Sequence, residues 1–161
     1  QIVDDGFDPR RHALSRTYRY TVLRSNTRSP MMRRTAQVVD GHLDIGSMKV
    51  AMGKLVGRHD FARFAGPLGD GNAGTERELF GARLEESGDC LVFEFEGNAF
   101  LPHQVRRMVG SVVDVGRGKI TLKQLEQMIK GDHVAVAHAA PPRGLCLVGV
   151  RYDESRNEGK I

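Results

Sequence analysis

Asn98-Ala99-Phe100-Leu101-Pro102-His103-Gln104-Val105-Arg106-Arg107-Met108-Val109-Gly110 marks the point where a strand pattern gives way to a helix. Upstream, over residues 90–96, Leu91, Phe93 and Phe95 alternate with Val92, Glu94 and Glu96. That is the period of a strand with one apolar and one wet face. Downstream, over residues 102–115, Val105, Met108, Val109, Val112 and Val113 recur at helical spacing, with proline in the first turn. At about 100° per residue, Arg106 falls at the edge of this apolar stripe and Arg107 nearly opposite it. Arg107 is therefore expected in solvent and Arg106 is expected to reach inward. A guanidinium stays charged at any working pH, so Arg106 needs a partner. The rest of the sequence offers no obvious one.

Working outward, residues 76–86 read as a strand joined to 90–96 by a turn at Ser87-Gly88-Asp89. Residues 16–24 are rich in aromatic and β-branched side chains, a further strand. Its period puts Arg16, Tyr18, Tyr20 and Val22 on one face and Thr17, Arg19, Thr21 and Leu23 on the other. Residues 35–39 form a short extended segment. Asp44 can cap a helix over 45–56 with Ile45, Met48, Met52, Leu55 and Val56 on one stripe, ended by Gly57. Residues 66–74, Gly-Pro-Leu-Gly-Asp-Gly-Asn-Ala-Gly, have the composition of a flexible loop. Gly116 and Gly118 terminate the long helix. Thr121-Leu122-Lys123-Gln124 starts a short helix through Ile129 with a capping box. Pro141-Pro142-Arg143-Gly144 turns the chain into a last strand at 145–152. The order is α+β, with a mixed or antiparallel sheet carrying helices on one face.

The chain has 161 residues, 40% of them hydrophobic and 27% charged, ordinary values for one soluble domain. No apolar run is long enough to cross a membrane as a helix. Nothing in the first residues resembles a signal peptide, and the start at Gln1 reads as a fragment boundary. Cys90 and Cys146 lie in no metal or redox pattern, so two reduced structural thiols in a cytoplasmic protein are expected. The six histidines have no metal-ligand spacing, and no metal is expected. There is no phosphate-binding glycine loop and no serine nucleophile elbow. His59-Asp60 reads as a helix-end feature. Eight arginines and three aspartates give residues 1–34 a charge of +5, leaving −1 for the remainder of a +4 chain. Arginine matches phosphate with a planar fork, and the pI is about 9.3. Nucleic acid is the partner this distribution suits.

Five segments in order resemble the TruA family of tRNA pseudouridine synthases, specifically its C-terminal half. They are Phe7-Asp8-Pro9-Arg10 with Ala13-Leu14-Ser15-Arg16-Thr17-Tyr18-Arg19-Tyr20; Leu55-Val56-Gly57-Arg58-His59-Asp60-Phe61-Ala62-Arg63-Phe64; Arg77 before the next strand; the opening segment; and Ala140-Pro141-Pro142-Arg143-Gly144-Leu145-Cys146-Leu147 through Tyr152. The match departs at Glu78, where the family often has threonine. It spans nearly the whole chain and implies a pseudouridine-synthase half-domain of RRM-like architecture.

The resemblance also implies a reaction. Such enzymes cut the N-glycosidic bond of a flipped-out uridine in the tRNA anticodon stem-loop and rejoin the base through carbon, using an aspartate and no cofactor. By residue-to-residue carry-over, Tyr18 would stack on the uracil and assist removal of its ring proton. Arg106 would pair with the aspartate, holding it ionised and aimed, and Leu101 would wall the pocket. Arg10, Arg16, Arg19, Arg58, His59 and Arg77 would contact RNA. Family members are homodimers. From the residues alone, Tyr18 is as well explained as a core aromatic and Arg106 as half of a structural ion pair. The family's Gly-Arg-Thr-Asp segment, which carries the nucleophile, has no counterpart in these 161 residues; Asp60, Asp70 and Asp114 stand in other contexts. The chain by itself is therefore expected to be inert. The alternative is a non-catalytic RRM-like RNA-binding module that stacks bases on Tyr18 and Tyr20. A helix-turn-helix reading is weaker, because the 102–115 helix has too few base-reading side chains.

Overall fold

In a computed structural model, which describes residues 8–25, 31–32, 34–69, 74–132 and 138–153, the tyrosine-rich segment becomes a 12-residue strand, β1 (Ala13–Arg24). It begins three residues earlier than the sequence pattern alone suggests. Then follow β2 (Gln37–Val39), α1 (Ile45–Leu55), β3 (Gly57–Asp60), β4 (Glu76–Ser87), β5 (Cys90–Gly97), α2 (Gln104–Gly116), α3 (Leu122–Ile129) and β6 (Leu145–Tyr152). Short 3₁₀ turns lie at Ala62–Phe64 and Pro142–Gly144.

The described strands form one mixed sheet in the order β2-β1-β5-β4-β3, with β6 also on β1. One edge of β1 runs antiparallel to β5, Tyr18 opposite Phe95 and Tyr20 opposite Phe93. Its other edge is shared. Ala13 to Tyr20 pairs antiparallel with β6, and Val22 to Arg24 pairs parallel with β2. The hairpin of β4 and β5 turns where the sequence suggests, with Leu84 opposite Phe93 and Ser87 opposite Cys90.

Alternation sorts the sheet as the sequence implied. Tyr20, Phe93, Phe95 and Leu84 join one buried cluster with Met48, Met52 and Leu55 of α1, Met108, Val109 and Val112 of α2, and Leu125 of α3. Each such side chain fully removed from water contributes about 1.5–3 kcal/mol. The opposite face carries charge: Glu94 sits between Arg19 at 3.0 Å and Arg83 at 2.7 Å.

Three boundaries differ from the sequence reading. Gly57 does not simply end α1. Val56 is the C-cap, exposed rather than part of the buried stripe, and Gly57 takes φ 109° to switch the chain straight into β3. His59-Asp60 is therefore strand, paired with Arg77 and Glu76. The long helix starts at Gln104, because His103 adopts a left-handed φ of 59° and Pro102 lies in the preceding turn. Gly116 is the last helical residue, buried against Met48. The stop itself is a Schellman closure, with Lys119 N–H on the Asp114 carbonyl at 2.9 Å and Gly118 N–H on that of Val115 at 3.0 Å. Asp44 caps α1 by accepting from Ser47 N at 3.0 Å, and the Thr121–Gln124 capping box closes both ways. Of the 66–74 loop, residues 70–73 lie outside those described.

Candidate active site around Arg106

The elbow between β5 and α2 is built by short-range hydrogen bonds. Asn98 Oδ1 accepts from Glu78 N at 3.0 Å and Ala99 N at 2.7 Å, while Asn98 N donates to the Glu78 carbonyl at 3.0 Å. These bonds tie the end of β5 to the start of β4. Leu101 N donates to Gln104 Oε1 at 2.8 Å, and Gln104 N returns a bond to the Leu101 carbonyl at 3.1 Å. The Pro102 carbonyl accepts from Gly66 N at 2.7 Å. A left-handed conformation costs a non-glycine residue roughly 1–2 kcal/mol, and this ring of bonds holds His103 in it. Leu101 is buried. Phe100 stands edge-on to Tyr18, ring centroids 5.1 Å apart and planes at 81°.

Arg106, one turn into α2, is half-buried. Its Nε donates to the Ala140 carbonyl at 2.6 Å, and Ala140 N donates to the Arg106 carbonyl at 3.0 Å. Nη1 and Nη2 make no hydrogen bond to a described residue, and no described carboxylate lies within 4.0 Å of the guanidinium. The expected inward lean is present, but its partner among the described residues is a backbone carbonyl, not an acid. Asp60 is occupied in capping Ala62 N at 2.9 Å, and Asp114 faces His138 at 2.9 Å; Asp70 is outside the described residues. Arg107 corrects the sequence reading. It is half-buried with its Nε shut off from solvent.

Tyr20 links Arg106 to the strand of Tyr18. Its hydroxyl lies 2.7 Å from the Pro141 carbonyl and 3.1 Å from Gln37 Oε1. Burial pushes the phenol up to about 12, and the nearby guanidiniums of Arg106 and Arg143 oppose that shift. Tyr18, two residues along on the same face, is only partly buried. Tyr20 is fully buried, so it offers no ring to a base, contrary to the stacking role given it in the RNA-binding-module alternative.

The candidate RNA-contacting residues fall into three places. Arg10 and Arg16 lie at the start of β1, beside the elbow. Arg16 spans from the Asn98 carbonyl, at 2.7 Å from Nη1, to the Arg10 carbonyl. The exposed Arg10 side chain has no ion pair among the described residues. Arg58, His59 and Arg77 sit on the β3–β4 edge. Arg58 pairs with Glu76 at 3.1 Å, His59 Nε2 is 3.0 Å from the Val56 carbonyl, and Arg77 Nη1 donates to the Gly74 and Glu76 carbonyls at 2.7 and 2.6 Å. Arg19 projects from the opposite sheet face, on Glu94. Tyr18, Leu101 and Arg106 are thus brought to one side of the sheet, with Arg10 and Arg16 near them and Arg19 away. Phe100, Gln104 and Ala140 were not singled out by sequence. Gln104 and Phe100 lay inside the opening segment, but their roles are local geometry that residue type alone does not announce. Among the described residues no group of three or more His, Cys, Asp or Glu could hold a metal ion, and no helix is long and apolar enough to cross a membrane.

Comparison with known proteins bears on this site. A family model described as tRNA pseudouridine synthase matches residues 51–153. The tRNA pseudouridine synthase A of Geobacter sulfurreducens is 39% identical over 148 residues, covering 91% of this chain and 60% of that protein. The protein of the same name from Exiguobacterium is 37% identical over 153 residues, 94% of this chain and 61% of that protein. That of Myxococcus xanthus is 37% identical over 152 residues, 93% and 57%. The chain therefore spans about 60% of the length of the curated relatives it matches. The matched residues include the β3 edge, the elbow, Arg106 and the Ala140–Tyr152 segment, and the chain belongs to the tRNA pseudouridine synthase family.

Proposed function

We propose that this chain is the part of a tRNA pseudouridine synthase that receives the flipped uridine and aims the catalytic aspartate, the aspartate itself coming from a part of the enzyme outside these 161 residues. The observation that carries the reading is the state of Arg106. Its Nε is fixed on Ala140, while its two terminal nitrogens are left without a described partner. A planar fork presented in this way fits one carboxylate with two parallel bonds. It holds that carboxylate ionised, the form needed to act as nucleophile or base.

Tyr18, propped by Phe100, offers its ring to the uracil and its hydroxyl to the proton leaving carbon 5. Leu101 walls the pocket. In the reaction the bond from ribose C1′ to N1 breaks, the base turns, a C1′–C5 bond forms, the C5 proton is lost to solvent, and N1 takes up a proton in its place. The uridines of the anticodon stem-loop are the substrate class, tRNA is the partner, and two copies of the full-length protein serve one tRNA. Arg10 and Arg16 mark the approach of the RNA to the pocket, with Arg58, His59 and Arg77 further along it.

Tritium release from tRNA labelled at uridine C5 tests the reading. The full-length protein is expected to release tritium and the isolated 161-residue chain to release none. Arg106→Ala in the full-length protein is expected to lower the rate about 100-fold or more, the range for losing a preorganised charge-stabilising donor. Full activity of Arg106→Ala, or turnover by the isolated chain, overturns it.

A further inference from the structure

Residues 138–140 run along one side of α2, touching it at three residues spaced one helical turn apart. Ala140 exchanges two hydrogen bonds with Arg106, its N–H donating to the Arg106 carbonyl and its carbonyl accepting from the Arg106 side-chain Nε. The His138 carbonyl lies so close over Gly110 that a Cβ there would overlap it. The His138 ring faces Asp114, with Nδ1 2.9 Å from Oδ2. Residues 106, 110 and 114 follow the i, i+4 row of a helix, so the contacts form one continuous line. At its far end the segment is held to the sheet, where the Tyr20 hydroxyl donates to the Pro141 carbonyl at 2.7 Å.

We infer that His138–Pro141 is a strap that positions Arg106, and that Gly110, Asp114 and His138 are positioning residues for the pseudouridine synthase reaction. The inference rests on the role proposed above for Arg106. An arginine side chain has many rotamers and loses much entropy when it grips a partner. Here Nε is tied to a carbonyl before any partner arrives, which fixes the plane of the guanidinium. What aims that carbonyl is the strap, and what seats the strap is the close His138–Asp114 contact and the bare helix surface at Gly110. In the middle of a helix that buries Val105, Met108, Val109, Val112 and Val113, glycine at 110 lowers helix propensity. The close passage of His138 explains it. Preorganisation of this kind acts on the chemical step more than on substrate binding.

The test uses the full-length protein. His138→Ala and Gly110→Ala are expected to lower the single-turnover rate of tritium release between about 10- and 100-fold, as misplacement of a catalytic group does, with KM for tRNA nearly unchanged. His138→Asn, whose amide nitrogen stands close to the place of Nδ1, is expected to restore the rate to within about 3-fold of wild type. Hydrogen exchange of the Arg106 Nε–H, followed by ¹⁵N NMR and assigned with Arg106→Lys, reads the strap without activity. It is expected to be slow in the wild type and fast in His138→Ala and Gly110→Ala. Wild-type rates, or unchanged Nε–H exchange in both variants, overturn the strap. So does a loss in His138→Ala that His138→Asn fails to restore while folding is intact. If the wild type itself releases no tritium, the role given to Arg106 falls, and the NMR result still decides whether the strap exists.

Discussion

Arg106 and Arg19 carry the same group and face different tasks. Arg19 is neutralised by a carboxylate shared with Arg83, while Arg106 is tied to a carbonyl and keeps its fork. Arg106→Lys keeps the charge but cannot bond Ala140 and present two parallel donors together. Tritium release is expected to fall about as far as in the alanine variant. For tRNA affinity the contrast lies with Arg10, exposed and without a described ion pair. Arg10→Ala is expected to reduce the slope of log affinity against log salt by about one. Arg19→Ala, already engaged by Glu94, should change it less. Tyr20 sets a pH limit. Its folded value of about 12 exceeds the ordinary 10.0, so the unfolded chain releases this proton first as pH rises. Its contribution to stability is complete below pH 10 and is lost between pH 10 and 12. Urea unfolding across that range should show the fall, and Tyr20→Phe should remove this component of it. Glu94 acts at the acid end. Hydrogen bonding from Arg19 first, then Arg83, lowers its value below the ordinary 4.5. Its contribution is present above that value and is lost as pH falls through the lowered one.

Among the elements, what the sequence made legible was what depends on near neighbours. The stripe Val105, Met108, Val109, Val112 and Val113 is buried throughout. The β4–β5 hairpin has the expected turn, and both side-chain caps form. Thr121→Ala removes one half of the capping box and is expected to cost about 1 kcal/mol, read by urea denaturation. The less legible parts turn on long-range contact. β3 is four residues long and has no pattern of its own; it is a strand because Gly57 redirects the chain onto β4. The start of α2 was misplaced because the bonds that hold His103 left-handed come from Gly66 and Gln104. Helical periodicity sees only the helix, so it puts Arg107 in solvent and cannot announce the carbonyl that Ala140, 34 residues further on, brings to Arg106. The site divides in the same way. Tyr18, Leu101 and Arg106 of the proposed site come from the resemblance, and the backbone carbonyl that holds Arg106 does not, since any residue could supply it.

For the whole molecule, the sheet decides when the site comes into being. β1 is made well before β6, yet the half of it that bears Tyr18 is paired on one side with β6, Ala13 with Tyr152 and Tyr20 with Leu145. Pairing over such separations closes large loops and is slow. The other half meets β2 at once, Val22 against Gln37. A nascent chain can therefore fix Val22 to Arg24 long before Tyr18 has a neighbour on that edge. The strap and β6 are both made after β1 and α2, the first to hold Arg106 and the second to flank Tyr18. Until β6 has been made, the Tyr18 half of β1 lacks that neighbour, so a nascent chain can hold much of its core while the site proposed here is still unfinished.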